Sequence, residues 1–215
     1  MKIGILGTGI VGQTIGSKLV KLGNSVKMGS RTANNEKAVE WTKSSGSNAS
    51  NGTFEEAASF GEILFNCTGG GVSLEALKLA GENNLNGKIL IDLANTLDFS
   101  KGMPPTLSVC NDDSLGEQIQ RTFPNVKVVK SLNSMNCKLM VEPTMLTAES
   151  DVFVAGNDQE AKEKVKSILT EWFGWKSVID LGDITASRGL EMLLPIWIRL
   201  MGIYKTPNFN FKIVR

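Results

Sequence analysis

No histidine occurs anywhere in the 215 residues. That absence excludes a histidine-based nucleophile triad, a histidine-ligated zinc site and an imidazole proton shuttle. Cysteine is scarce: Cys67, Cys110 and Cys137 are scattered and odd in number. A disulfide framework is not expected, and a reducing, cytoplasmic setting fits. Nor is there an excess of charge of one sign. A formal net charge of +1 leaves no nucleic-acid footprint and no polybasic membrane patch. Long apolar runs are missing too, because residues 190–204 are interrupted by Glu191, Pro195 and Arg199. The apolar start after Lys2 is broken by glycines and lacks a small-residue cleavage site, so it does not read as a signal peptide. Chemistry must then come from a bound cofactor or from carboxylate, lysine, tyrosine, cysteine or hydroxyl groups. No metal set is expected.

What the chain does have is placed at its beginning. Residues 3–6 are a short apolar strand that runs into Gly7-Thr8-Gly9-Ile10-Val11-Gly12, and Ile15, Leu19 and Leu22 then mark a helix face. Strand, G-x-G-x-x-G and helix in this order form a dinucleotide-binding fingerprint. Gly7 permits the tight turn, Gly9 lets backbone approach a pyrophosphate, and Gly12 allows close helix–strand packing. The helix start offers free N–H groups to the phosphates.

A second strand at residues 25–28 leads to Gly29-Ser30-Arg31. An acid normally stands here to bond the ribose 2′-hydroxyl of NAD. This chain has Ser30 and Arg31 instead, which suit a 2′-phosphate, so NADP is the expected coenzyme. Lys37 is a second candidate for that phosphate. Residues 44–52 are polar and read as a surface loop, and Thr53-x-x-Glu56 as a capping box. Strands are expected at 63–68, 88–93 and 126–132. The first ends at Thr68-Gly69-Gly70-Gly71, the second at Asp92-Leu93-Ala94-Asn95, and the third leads to Asn133-Ser134. These carboxyl-edge turns should border the nicotinamide, with Thr68, Gly69, Gly70, Asn95, Asn133 and Ser134 as its contacts. Ser73 should cap the next helix. Residues 96–113 are long enough for a lid or mobile loop.

Strands at 152–155 and 178–181 flank an amphipathic helix, and a last helix at 187–202 carries a kinking Pro195. The expectation is one α/β domain over residues 1–215, a doubly wound Rossmann-type parallel sheet with a short C-terminal helical extension from about residue 185. Asp92 and Glu191 are candidate proton partners, weighed against plain helix and turn roles. Cys67 reads as a small buried hydrophobe, and no side chain is assigned an obligatory catalytic role.

With these residues in place, the chain resembles the NADP oxidoreductases that act with the deazaflavin coenzyme F-420. The carrying features are Gly7 to Gly12, Gly29-Ser30-Arg31, Val128-Val129-Lys130-Ser131-Leu132-Asn133-Ser134, Val154-Ala155-Gly156-Asn157-Asp158 and Ser187-Arg188-Gly189-Leu190-Glu191. The resemblance implies hydride transfer between NADPH and a second small ring acceptor, coenzyme F-420 or a flavin, beneath the C-terminal helix and tail. It differs from the archaeal members in having Asn133 where they carry histidine, and glycines at 69–71 in place of a proline-containing turn. That leaves flavin-, quinone-, carbonyl- or imine-type acceptors open. A small-molecule partner is implied, and a homodimer is compatible with it. A non-catalytic NADP(H)-reading redox sensor is the alternative, since fold alone does not settle function.

Overall fold

The computed structural model describes residues 1–215. Ten strands and nine α-helices follow one another. They are β1 (Lys2–Leu6), α1 (Ile10–Lys21), β2 (Ser25–Ser30), α2 (Glu36–Ser45), β3 (Ala49–Thr53), α3 (Phe54–Phe60), β4 (Ile63–Asn66), α4 (Gly70–Ala80), the single turn α5 (Glu82–Leu85) and β5 (Ile89–Asp92). The second half holds β6 (Leu97–Asp98), β7 (Thr106–Leu107), α6 (Leu115–Thr122), β8 (Lys127–Ser131), α7 (Cys137–Val141), β9 (Asp151–Ala155), α8 (Gln159–Ser167), β10 (Ser177–Asp180) and α9 (Ser187–Tyr204).

The main sheet has the order β10-β9-β8-β5-β4-β1-β2-β3. From β3 to β8 every pairing is parallel, and the order reverses beside β1, as in a Rossmann sheet. The crevice at this reversal is where such sheets bind ligands. The sheet is not parallel throughout: β9 runs antiparallel to β8, with Lys130 opposite Ala155. The connection through the short α7 leaves β8 and enters β9 at the same end of the sheet, whereas parallel pairing would have needed a full crossover.

Strands buried on both faces read as apolar runs because helices cover each side. One core of 26 buried residues lies under α1, α2, α7 and α8 and includes Ile3, Ile15, Trp41 and Val165. The other, of 17, lies under α3, α4 and α6 and includes Leu6, Ala57, Leu77 and Ile119.

Several sequence expectations are corrected. The polar stretch before Thr53 is no mere loop, since its last residues form edge strand β3, paired in parallel to β2. Its Ala-Ser-Asn-Gly-Thr sequence lacks apolar alternation, and it is placed by backbone pairing to β2 together with bonds from the Ser50 and Asn51 side chains to the Val26 and Ala33 carbonyls. The capping box of Thr53 and Glu56 is present as expected. Ser73 does not cap α4: the helix begins at Gly70 with Gly69 as N-cap, and the Ser73 hydroxyl lies one turn inside, donating to the Gly69 carbonyl at 3.2 Å. Part of the long 96–113 connection is folded, with β6 and β7 pairing antiparallel and the Ser108 N–H donating to the Thr96 carbonyl at 2.8 Å. The last helix continues unbroken through Pro195 to Tyr204 and ends at Lys205 in the left-handed region, φ 54°.

Candidate functional site

The three fingerprint glycines face different surroundings. Gly7 sits at φ +120°, and a Cβ there would lie 2.6 Å from the Cys67 carbonyl oxygen. At Gly12 a Cβ would lie 2.3 Å from the Gly7 carbonyl oxygen. Both positions are closed by the protein itself. Gly9 is different, because a Cβ there would meet nothing within 4 Å. It is exposed and forms the N-cap of α1 without any side-chain cap, and no acid stands in the first turn. The turn is held by the Gly7 N–H donating to the Gly29 carbonyl at 3.0 Å and the Gln13 amide donating to the Thr8 carbonyl at 3.0 Å. Thr8 and Val11 are half-buried and Ile10 is exposed. The result is a rigid turn with open space in front of an uncapped helix start, which fits an anionic pyrophosphate.

At the end of β2, Ser30 is buried and its hydroxyl donates to the Thr32 carbonyl. Arg31 is exposed, takes no part in the ion pairs of the molecule, and lines a small depression with Phe54, Val72, Glu75, Ala76 and Leu79. A free guanidinium beside apolar side chains suits a phosphate next to a flat ring. Lys37 is not brought to this depression. It lies in a groove of about 890 Å³ between α1, α2 and α7, with Gln13, Ser17, Trp41 and Lys138. That groove follows helix flanks rather than the carboxyl ends of the strands.

The turn after β4 forms the second helix start. Gly69 is exposed, with open space where a Cβ would stand, whereas Gly70 is buried and a Cβ there would lie 2.3 Å from the Asn95 carbonyl oxygen. Gly70 also donates its N–H to that oxygen at 3.2 Å. Gly70 is therefore the packing partner of Asn95, and Gly69 is the one that leaves room for a ligand. Thr68 is half-buried, with its hydroxyl 2.7 Å from both Asn66 Oδ1 and Ser73 Oγ.

Asn133 and Ser134 are buried at the end of β8. The Asn133 amide nitrogen donates to Asn95 Oδ1 at 2.8 Å and to the Leu190 carbonyl at 2.9 Å, and Asn95 Nδ2 returns a bond to the Asn133 carbonyl at 2.8 Å. Asn133, expected from the sequence to border the nicotinamide, commits its amide nitrogen to joining two loops to α9. That helix turns Leu190, Leu194 and Trp197 inward on one face, and none of the three belongs to either main core. Trp197 stacks on Phe209 with ring centroids 5.3 Å apart. The tail beyond is tied to Asp151, which accepts from Lys212 Nζ at 2.9 Å and from the Ile213 N–H at 2.6 Å. Between α9 and the β6–β7 connection lies a cavity of about 570 Å³ lined by Met103, Pro105, Pro195, Ile196 and Arg199.

Lys130 was not singled out from sequence as a site residue. Its ammonium is fully buried, 2.9 Å from Asp92 and 2.8 Å from Glu191. Burial pushes its pKa down, but the two carboxylates outweigh burial and hold it above the usual lysine value. The available signal was a charge inside an otherwise β-branched strand, which demands a buried counter-charge. Met135 lies in the main core. Cys67 is buried as expected, and burial, followed by the Asp92 charge, pushes its thiol pKa far up, so it is no nucleophile.

Residues 2–96 match the family described as NADP oxidoreductase, coenzyme F420-dependent. Over 99% of its length the chain is 31% identical to the F420-dependent NADP reductase of Methanocaldococcus jannaschii, covering 98% of that protein. The chain belongs to the F420-dependent NADP oxidoreductase family. Members of this family are NADP-dependent oxidoreductases. A crystal structure of a candidate F420-dependent NADP-reductase from Arthrobacter sp. FB24 superimposes with TM-score 0.96 at 50% identity, each chain covered completely. Metalloreductase STEAP3 of Rattus norvegicus is 29% identical over 96% of this chain, which spans only 38% of that protein. No helix in this family member is long and apolar enough to cross a membrane.

Proposed function

We propose that the protein transfers a hydride between NADPH and a second ring acceptor held beneath α9, with the deazaflavin coenzyme F420 as that acceptor. The observation that carries this reading is the carboxyl edge of the sheet. Gly9 and Gly69 leave open space at two adjacent helix starts, and Asn133 pins α9 to the same edge. In this reading Thr8, Gly9 and Ile10 present backbone to the pyrophosphate, with Gly7, Val11 and Gly12 holding the turn. Ser30 shapes the loop that carries Arg31 to the 2′-phosphate. Thr68 and Gly69 border the nicotinamide, while Gly70, Asn95, Asn133 and Ser134 hold that border in place. Lys37 lines the groove between α1, α2 and α7 and is left without a part in holding the 2′-phosphate. Leu194 and Trp197 close an apolar ceiling over the acceptor.

NADPH held at these turns would supply the hydride chemistry, with water as the source of the one accompanying proton. The chain's part is to align the two rings and keep water from between them. No side chain need act as acid or base, in keeping with the absence of histidine. The name of the Methanocaldococcus relative supports F420, and the residue differences at Asn133 and 69–71 keep flavins in the test. The exposed Ile196, Ile203 and Tyr204 on α9 support a homodimer through that helix, which light scattering at micromolar concentration tests. The three free cysteines are in keeping with a cytoplasmic protein.

The deciding experiment follows NADPH oxidation spectrophotometrically with coenzyme F420, FMN and a simple quinone. Turnover with F420 and little with the others is expected. NADPH binding without turnover on any acceptor would sink the enzyme reading and leave a redox sensor.

A further inference from the structure

Three strands carry one polar residue each in the same register row, Asn66 on β4 opposite Asp92 on β5 opposite Lys130 on β8. All three are completely buried. They form a continuous chain of contacts. Asn66 Nδ2 donates to Asp92 Oδ1 at 2.7 Å, and Lys130 Nζ donates to Asp92 Oδ2 at 2.9 Å and contacts Glu191 Oε1 at 2.8 Å. Glu191 comes from α9 and is itself buried. Its carboxylate also accepts the N–H groups of Leu115 and Gly116, at 3.0 and 3.1 Å, at the start of α6. At the opposite end, Asn66 Oδ1 accepts the Thr68 hydroxyl, 2.7 Å away, and the hydroxyl network reaches the Gly69 carbonyl through Ser73.

Stability does not account for this row. Two carboxylates on one ammonium leave an excess buried negative charge, offset by N–H donors from Asn66 and Ala94 at Asp92 and from the α6 N-terminus at Glu191. An apolar set of the same volume commonly does as well or better, and fixing one arrangement is the best-attested use of such a cluster. Here the arrangement joins the two surfaces that must face each other. One end is the helix that overhangs the strand ends; the other is the turn at Thr68 and Gly69. Close packing makes the link stiff, since a Cβ on Gly116 would lie 2.5 Å from Ser187 Oγ at the foot of α9.

We propose that Lys130 is a positioning residue that ties α9 to the Thr68–Gly69 turn, so that the acceptor ceiling and the nicotinamide border are aligned through this buried relay, beside the Asn133–Leu190 bond. The inference rests on the reading that α9 covers the acceptor. It assigns Asp92 and Glu191 to alignment rather than to proton transfer. In the intact protein the relay transmits order: NADPH bound against the turn stabilises the docked position of α9.

Hydrogen exchange with and without NADPH tests the relay without any turnover. In the unmutated protein, NADPH should slow exchange at least fivefold both at 68–72 and at 190–201. In Glu191→Gln, which keeps side-chain shape, and in Lys130→Met, the slowing at 68–72 should remain while that at 190–201 disappears. Protection by NADPH confined to 7–12, 30–31 and 68–72 in the unmutated protein would overturn the proposal. Steady-state kinetics with coenzyme F420 form the second arm. Glu191→Gln should raise the KM for F420 at least tenfold, with the NADPH dissociation constant changed less than threefold. Equal losses in both constants, with lowered Tm, would mean a merely structural role and would also overturn it. If the unmutated protein does not turn over F420, the acceptor reading fails, and the exchange arm still decides the relay. Should Lys130→Met fail to fold, Glu191→Gln carries both arms.

Discussion

The two ends of the molecule solve the problem of holding a ligand surface in opposite ways. The β1–α1 turn is built from backbone, with Gly7 and Gly12 closed by neighbouring carbonyls and Gly9 left open. The α9 region is built from side chains: a lysine between two carboxylates, a second pair of Arg188 with Glu117, and the stack of Trp197 on Phe209. Backbone cradles depend on residue identity at a few adjacent positions. Side-chain docking depends on residues brought from β5, β8, α6 and α9, scattered along the chain. The cradle is therefore rigid and local, while the ceiling is only as well placed as its charge network.

The sharpest way to separate closed from open positions is within the fingerprint. Gly12→Val would drive Cβ into the Gly7 carbonyl, 2.3 Å away, and should cost more than about 4 kcal/mol, enough to abolish folding. Urea denaturation checks this, and a stable Gly12→Val protein would refute the packing role. At the other end, Lys130→Met strands two buried carboxylates and should lower stability by about 3–5 kcal/mol. A loss below about 1 kcal/mol would show that the cluster is hydrated in solution. Gly9→Val should leave the urea midpoint nearly unchanged yet weaken NADPH binding about 100-fold, roughly 2.7 kcal/mol. Isothermal titration reads it, and unchanged affinity would move the pyrophosphate elsewhere. Arg31→Ala should remove a charge-assisted contact of about 1.5–3 kcal/mol from NADPH and none from NADH. Equal losses for the two coenzymes would contradict the 2′-phosphate assignment.

The smallest effect is in pH dependence. Hydrogen bonds from Arg121 pull the Asp113 carboxyl down to about 2, and those from Arg188 lower Glu117. Carboxyls depressed in the folded state stabilise it above their unfolded values near ~4, and that stabilisation is lost as pH falls through the folded values. Urea midpoints should therefore drop between about pH 4 and 2, and Arg188→Ala should flatten the fall. The Arg121 pair is largely exposed and adds about 1 kcal/mol or less. Lys130 behaves oppositely. Its raised pKa keeps its contribution intact below about pH 10.4, with loss only at still higher pH. An alkaline transition below pH 9 removed by Lys130→Met would break that assignment.

How much of this was readable beforehand follows the same division. The strand-turn-helix at the N-terminus and the Ser30-Arg31 position were legible, because spacing alone places adjacent residues in space. The Thr53–Glu56 capping box was legible for the same reason. Strand β3 was not, since its polar residues are held by pairing with β2 rather than by burial pattern. Gly70 and Asn133 were read as ligand contacts, whereas tertiary packing commits the Gly70 N–H and the Asn133 amide nitrogen to other parts of the protein.

The sequence by itself therefore determined the parallel βαβ half, the open helix start at Gly9 and the lack of any imidazole chemistry. Each depends on residue type within a short window. Only the tertiary structure decided that β9 turns antiparallel, that Lys37 and Arg31 line different depressions, and that Lys130 gathers Asp92 and Glu191. The physical reason is that a buried charge is tolerated only where its partners converge. Lys130 and its two partners, drawn from β5, β8 and α9, meet only after the sheet has formed and α9 has been laid across its end.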